Sequence, residues 1–293
     1  MSAASVPLEA YAALFTSSFD GYRYPVAMDA ERMARRVRQE QHDLRRSLVA
    51  YAGERAVGVA ALAIRGEAGW VGGFGVVPEE RGRGRGRELM SALLKEARAC
   101  GLRTLSLEVL SHNEAARRLY ERAGMHVARD LLILERTAKG VGTTDGRDIA
   151  SESASAEKLS ASDTTSQGLP ASLEEAAPGE LLAHFARLHR VAPAWQRDLP
   201  SLLVKGSLRG LRLTGDRDTR AYALVAREPD DTTYLVDLAA DAPQDAQQLS
   251  AALAELAGPL KIVNEPEQSL FAAPLTAHGF AETDRQHEMR LAL

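Results

Sequence analysis

Along residues 8–15, Leu8, Tyr11, Leu14 and Phe15 recur at three- and four-residue steps, the spacing of one apolar helix face. A second helix is expected over about 28–41, after the turn-forming run Asp20-Gly21-Tyr22-Arg23-Tyr24-Pro25. Residues 70–77 are apolar and β-prone apart from their glycines, which predicts a strand, and Pro78-Glu79-Glu80 then supplies a turn in which proline's missing N–H costs nothing. Helical periodicity returns over 88–99, where Leu89, Met90, Leu93, Leu94 and Ala97 share a face and Gly101 stands where a helix usually stops. Residues 105–110 alternate as a strand, with Glu108 on the face opposite Leu107 and Val109. A further helix is predicted from Asn113, a good N-cap residue, with Ala116, Leu119, Tyr120 and Ala123 on its inner face and Gly124 at its end.

The second half repeats this plan faintly. Residues 137–167 are rich in Ser, Thr, Gly, Ala and Asp and hold almost no large apolar residue, so they read as a linker. Apolar periodicity resumes at Leu181, Leu182, Phe185 and Leu188; strands are expected over 221–227 and 234–239, a helix over 246–256 and a strand over 260–263. The expected organisation is a first domain over 1–136, a linker over 137–169 and a second domain over 170–293.

Composition changes this picture little. A chain of 293 residues suits two domains, and with 45% hydrophobic and 26% charged residues it has no apolar run near the length of a membrane span, so no membrane partner is expected. Residues 1–10 lack a signal-peptide pattern, and the single cysteine, Cys100, excludes an intramolecular disulfide; a cytoplasmic home is the expectation. Cys100 reads as a small packed side chain at a helix end rather than a nucleophile. A net charge of -4 leaves no nucleic-acid footprint beyond one short arginine run. His184 and His189, the closest histidine pair, are five residues apart and fall off a shared helical face, so they are expected to be solvated or packed, and no metal is expected.

That arginine run, Arg81-Gly82-Arg83-Gly84-Arg85-Gly86, lies between the strand at 70–77 and the helix at 88–99. Helix N-termini have unpartnered N–H groups and partial positive charge, alternating glycines admit close backbone approach, and arginines add bidentate contacts, so a pyrophosphate is the natural ligand. RNA-binding Arg/Gly tracts are long and repeated, whereas this one is flanked by apolar strand and helix. There is no Gly-Lys-Ser/Thr ending, and the glycine spacing does not match the dinucleotide fingerprint.

These residues resemble the GNAT acyltransferase superfamily. Its cofactor motif, Arg/Gln-x-x-Gly-x-Gly/Ala after Val-x-Pro, matches Val76-Val77-Pro78 with Arg81, Gly84 and Gly86; its second motif, Asn-x-x-Ala-x-x-Leu-Tyr with a later Gly-Phe, matches Asn113, Ala116, Leu119, Tyr120 and Gly124-Met125. The resemblance covers roughly 8–136, and Met125 departs from the usual Phe. It implies an α+β fold, an α/β/α sandwich in which each domain is a mixed, bent, mostly antiparallel sheet flanked by helices, with two strands splayed to admit acetyl-CoA or another acyl-CoA as cosubstrate. Val76 and Val77 would then meet the pantetheine arm, Arg81, Gly82, Arg83, Gly84, Arg85 and Gly86 the pyrophosphate, and Asn113 the cofactor or the wall beside it. The glycines at 72, 73 and 75 are expected to mark a bulged strand approached by the ligand.

The implied reaction is N-acetylation of a primary amine by direct attack on the thioester, with Tyr120 as general acid and Glu108 as general base, acting directly or through water. Each has a bland alternative: Tyr120 as a core aromatic, Glu108 as a carboxylate that orients water or pairs with an arginine. Asp20, Tyr22 and Tyr24 would line the acceptor site, an ordinary turn being the competing reading. A small-molecule amine is the expected acceptor; a protein N-terminus or lysine, and a non-catalytic acyl-CoA-binding role, are the alternatives, and homodimerisation is compatible with all three.

Aligning Gly124-Met125 with Gly279-Phe280 puts Val263 in place of Glu108, Gln268 in place of Asn113 and Leu275 in place of Tyr120, while the acidic 241–245 replaces the Arg/Gly loop. The second domain is therefore expected to be degenerate and structural. Trp195-Gln196-Arg197 and the terminal strand Arg285-Gln286-His287-Glu288-Met289 read by default as core or interface.

Overall fold

The computed structural model describes residues 1–137, 169–213 and 219–293, so the expected linker falls almost wholly outside the described residues. The chain divides into two compact units. Met1–Arg129 and His287–Leu293 make the first; the described residues between 130 and 286 make the second. Relative to the expected domain boundaries, residues 130–136 thus group with the second unit and 287–293 with the first.

The first unit holds α1 (Leu8–Ser18), α2 (Ala30–Glu40), β1 (Leu48–Ala52), β2 (Arg55–Arg65), β3 (Ala68–Val76), α3 (Arg85–Ala99), β4 (Thr104–Leu110), α4 (Glu114–Arg122) and the start of β5 (His126–Arg136). Strands lie in the order β1-β2-β3-β4, and the end of β11 (Ala281–Ala292) follows β4. Pairing is antiparallel through β1, β2 and β3. β3 and β4 are parallel and pair only at Ala68–Thr104, Gly69–Leu105 and Trp70–Ser106, after which their edges part. On one face, Leu89, Met90, Leu93 and Ala97 of α3 pack with Leu105, Leu107 and Val109 and with Tyr120 of α4; a second cluster joins Tyr11 and Phe15 of α1 and Met33 of α2 to Val57, Val59 and Ala61 of β2.

The hairpin of β1 and β2 has no counterpart in the pattern reading, because β2 is buried almost continuously from Val57 to Ala63 and shows no polar alternation. α3 starts at Arg85, three residues before the expected helix. Gly72 is the extra residue of a bulge in β3, where the β2 register skips from Gly73 to Val71. The glycines at 73 and 75 admit protein rather than ligand: an added Cβ would lie 2.5 Å from the Phe15 ring and 2.7 Å from the Ser18 carbonyl, so they let α1 lie directly on the strand.

The second unit holds β6 (Leu173–Ala176), α5 (Pro178–Leu182), α6 (Phe185–Leu188), α7 (Leu199–Leu203), β7 (Arg209–Leu213), β8 (Ala221–Arg227), β9 (Thr233–Ala240), α8 (Pro243–Leu253), β10 (Leu260–Pro266), α9 (Ala272–Ala277) and the start of β11. Its order is β5-β10-β9-β8-β7-β6. β9 and β10 are parallel and pair only at Thr233–Leu260 and Tyr234–Lys261 before parting, so the strand–helix–strand–helix plan of the first unit recurs with its splayed pair. α8 begins at Pro243, whose fixed φ and missing N–H suit a first helical turn, three residues ahead of the pattern-based start.

Candidate active site

The geometry is set by the separation of β3 and β4. Residues from Val71 to Val76 keep β2 on one edge while the β4 edge is unpaired, and the chain then turns through a short 3-10 segment (Pro78–Glu80) into the glycine loop. Gly84 is the N-cap of α3 at φ +84°, a left-handed conformation that glycine adopts without penalty, and no side chain caps the helix. Uncapped first-turn amides and the helix dipole make this end a receptor for negative charge.

The loop arginines are held in different ways. Arg81 is committed to the fold: its Nε donates to Val76 O at 2.8 Å, and its Nη2 donates to Ser18 O at 3.2 Å and to Asp20 O at 2.8 Å. This clamps the end of β3 to the end of α1. Arg83 and Arg85 reach the buried carboxylate of Glu80, both at 3.5 Å, and Arg85 also meets Glu88 at 3.1 Å. Hydrogen bonding to Glu88 first and then its charge raise the Arg85 pKa above its ordinary value, so its charge is permanent. Val77 N donates to Val57 O at 2.9 Å, so this amide and the Val76 carbonyl, both expected to meet a pantetheine arm, have protein partners.

Asn113 caps α4 as expected, its Oδ1 accepting from Ala116 N at 3.2 Å. Tyr120, on that helix, is 5% exposed and meets Phe74 edge-on at 5.9 Å between ring centres. Burial, and then the nearby Tyr22 phenol, push its pKa well above the ordinary tyrosine value, so it keeps its proton. Glu108 is half-buried, and Oε2 accepts from the Trp70 indole Nε1 at 2.8 Å. Because Tyr120 packs with Leu105, Leu107 and Val109, strand alternation places Glu108 on the opposite face of β4. The two candidate groups therefore flank the sheet where β3 and β4 part.

In the expected acceptor loop, Asp20 is exposed, and Tyr22 and Tyr24 are half-buried. Tyr22 packs edge-on to Phe19 at 5.6 Å and lies near enough to Tyr120 to raise its pKa, whereas Arg23 sits 5.9 Å over the Tyr24 ring.

Between α3 and α4 lies a groove of about 600 Å³, floored by Met90, Leu94 and Leu119 and rimmed by Arg87, Arg118 and Arg122. Sequence reasoning passed over this basic rim. The four-residue step from Arg118 to Arg122 was its available signal, since it stacks both on one helix edge.

In the second unit Leu275 is fully buried at the position aligned with Tyr120. The place where β9 and β10 part is occupied by a buried charge network. Asp237 of β9 meets His189 Nε2 at 3.1 Å and accepts from the Tyr222 hydroxyl at 2.9 Å, while Arg197 pairs with Glu265 of β10 and donates to Asn264 O at 3.1 Å. His189 and Arg197 thus belong to one network rather than to separate packed positions. Cys100 is half-buried at the C-cap of α3, and burial raises its thiol pKa, which leaves it a poor nucleophile. Among the described residues no group of three metal-ligating side chains gathers, and no helix is long and apolar enough to cross a membrane.

Comparison with known proteins gives this arrangement a family. Residues 9–125 match the model of the acetyltransferase (GNAT) family. Over 51 residues, 17% of this chain, the sequence is 45% identical to the uncharacterized N-acetyltransferase YycN of Bacillus subtilis (strain 168), and the match spans a third of that relative's length. Among solved structures, a GCN5-related N-acetyltransferase from Sphaerobacter thermophilus aligns over 97% of this chain and 92% of its own with a TM-score of 0.66 at 14% identity. A putative acetyltransferase from Pyrococcus horikoshii aligns over 98% and 86% with a TM-score of 0.61 at 17% identity. A tandem GNAT protein from the clavulanic acid biosynthesis pathway aligns over 97% and 94% with a TM-score of 0.59 at 14% identity, so the likeness in fold extends through both units. The Arg/Gly loop, the splayed strands and the tyrosine helix all lie in the matched segment, so the first unit carries a domain of the GNAT acetyltransferase family.

Proposed function

We propose that the first unit is an acyl-CoA-dependent N-acetyltransferase that acts on the primary amine of a small molecule. The observation that carries this reading is the placement of Tyr120 and Glu108 on opposite faces of the sheet at the gap between β3 and β4. A thioester entering from the α3–α4 side would present its carbonyl to an amine on the Glu108 side.

The residues fit an acyl-CoA on two grounds, the uncapped, cationic start of α3 and the unpaired edge of β3. Backbone amides of the loop from Gly82 to Gly86, with Arg83 and Arg85, hold the pyrophosphate in this reading; Val76 and Val77 wall the pantetheine arm, and Asn113 fixes the start of α4 beside it. Arg81 braces the loop against α1 instead of touching phosphate. When bound, the acyl-CoA supplies an activated acyl carbonyl and a thiolate leaving group.

Glu108, directly or through a water, takes the proton from the acceptor ammonium so that the nitrogen lone pair attacks the carbonyl carbon. As the tetrahedral adduct collapses, the carbon–sulfur bond breaks, Tyr120 donates its hydroxyl proton to the departing sulfur, and the second proton lost by the acceptor nitrogen restores the Tyr120 hydroxyl. A neutral phenol is required for that step, and burial of Tyr120 keeps it neutral. Tyr22 and Tyr24 cover the amine and Asp20 attracts it.

Titration calorimetry with acetyl-CoA tests the reading. One site per chain is expected, lost in Gly84→Glu, whose side chain would bring a carboxylate and a strained φ to the pyrophosphate position. Unchanged binding in that variant would remove the loop assignment, and two sites would make the second unit a catalyst in its own right.

A further inference from the structure

The Glu108 carboxylate is gripped by a side chain that the reaction scheme above leaves without a task. Trp70 is 2% exposed on β3, opposite Ser106 in the parallel register, and its indole N–H reaches Glu108 Oε2 at 2.8 Å. A buried indole seeks an acceptor, and a carboxylate satisfies it with a charge-assisted bond that fixes the plane of the acid. A flexible glutamate on a strand otherwise explores several rotamers, whereas proton transfer requires one placed within hydrogen-bond reach of the amine or its water.

The indole is itself confined. On its outer side the His42 ring lies tilted at 5.8 Å between centres. The His42 side chain is fully buried; its Nε2 meets Glu40 at 3.1 Å, and Glu40 in turn meets Arg36 at 3.0 Å. Arg36 also donates to the carbonyl of Gly72, the bulge residue, at 2.7 Å. At Gly72 an added Cβ would fall 2.2 Å from both His42 Nε2 and Trp70 Cζ3, so the bulge leaves just enough room for these two rings. Trp70 is thus locked by α2, the segment that follows it and the β3 bulge, and it transmits that rigidity to β4 at the edge of the gap.

We propose that Trp70 is a positioning residue for the general base, setting the Glu108 carboxylate toward the acceptor amine through its indole N–H. The inference rests on Glu108 being the base, and the experiment separates the two claims. Steady-state rates with acetyl-CoA and an amine accepted by the wild-type protein are measured for Trp70→Phe, Glu108→Gln and the double variant. Loss of a hydrogen bond to a charged group predicts a fall in kcat of about tenfold for Trp70→Phe, with KM for acetyl-CoA within about twofold of wild type. In the Glu108→Gln background the same change should cost less than about twofold, because the carboxylate it orients is gone. An equal loss in both backgrounds, or full activity in Trp70→Phe while Glu108→Gln is impaired, overturns the positioning role and leaves the base intact. Full activity in Glu108→Gln removes the base and the inference with it.

A second measurement guards against a Trp70→Phe chain that does not fold. The protein has two tryptophans, so Trp195→Phe leaves the Trp70 indole N–H as a lone resonance in a nitrogen–proton correlation spectrum. Glu108→Gln should move that resonance upfield as the charged acceptor is lost, and an unmoved resonance overturns the contact on which the inference stands.

Discussion

The role proposed for Tyr120 rests on where α4 puts it. At 5% exposure its phenol is held above the ordinary tyrosine pKa by burial and then by Tyr22, which favours the neutral form, and the T-shaped contact with Phe74 fixes the ring at the open edge of β3. Tyr120→Phe retains that packing and removes only the hydroxyl, so kcat should fall by about 10²–10⁴ while calorimetric acetyl-CoA affinity stays within about twofold. An undiminished rate would return Tyr120 to the status of a core aromatic. At this scale the sequence was most legible where chemistry is local: the Asn113 cap and the Tyr120 face follow from positions within ten residues of each other. Arg81 shows the limit. Its place in the motif suggested phosphate, but its partners Ser18 and Asp20 lie 63 and 61 residues away, and only the folded chain brings those carbonyls to the guanidinium.

Among elements, the two splayed strand pairs show what the same geometry becomes under different side chains. Between β3 and β4 the gap is bordered by glycine, valine and Tyr120; between β9 and β10 it is filled by Asp237, Glu265, Arg197 and His189. Burying such charges is costly unless each is paired, so this network stabilises the second unit only while its pairing holds. Burial lowers the His189 pKa, but the hydrogen bond and charge of Asp237 raise it by more, so it lies above the ordinary 6.5. A raised folded-state value contributes stability in full below pH 6.5 and loses it as pH rises through the folded value. The urea midpoint of the second unit should therefore fall as pH rises above 6.5, and His189→Gln should flatten that dependence; parallel curves would show that the imidazole titrates alike in both states. None of this was visible in the pattern of residues, because His189 and Asp237 are 48 positions apart and Arg197 and Glu265 are 68 apart. Helices α3 and α4 and strand β4 were visible, since their apolar positions repeat within single elements, whereas β2, with its unbroken alanine-rich burial, offers no period to read.

For the molecule as a whole, the division of the chain matters more than its length. The first unit draws its last segment from residues 287–293, where Met289 is fully buried against the α3 side of the sheet, Leu291 and Leu293 pack on the same cluster, and Leu293 N donates to Arg103 O at 2.9 Å. Each such apolar side chain is worth roughly 1.5–3 kcal/mol when fully buried, a large share of the 5–15 kcal/mol that holds a typical domain together. A chain ending at Gln286 should accordingly lose the cooperative melting of its first unit and its acetyl-CoA binding together, while the second unit, measured by the pH-dependent unfolding above, is retained. Intact binding in the shortened chain would mean that the terminal strand is an accessory. The motifs of the first half were read without it, because nothing in the local pattern of 281–292 says which unit it serves.

The same division imposes a schedule on biosynthesis. The segment carrying the proposed catalytic residues leaves the ribosome some 158 residues before the strand that completes its hydrophobic core, the distance from Arg129 to His287. At roughly 5–20 residues per second that is a wait of about 8–30 s. During that interval the nascent first unit exposes the apolar edge that Met289 later covers, so it is expected to engage holding chaperones until the terminal strand arrives.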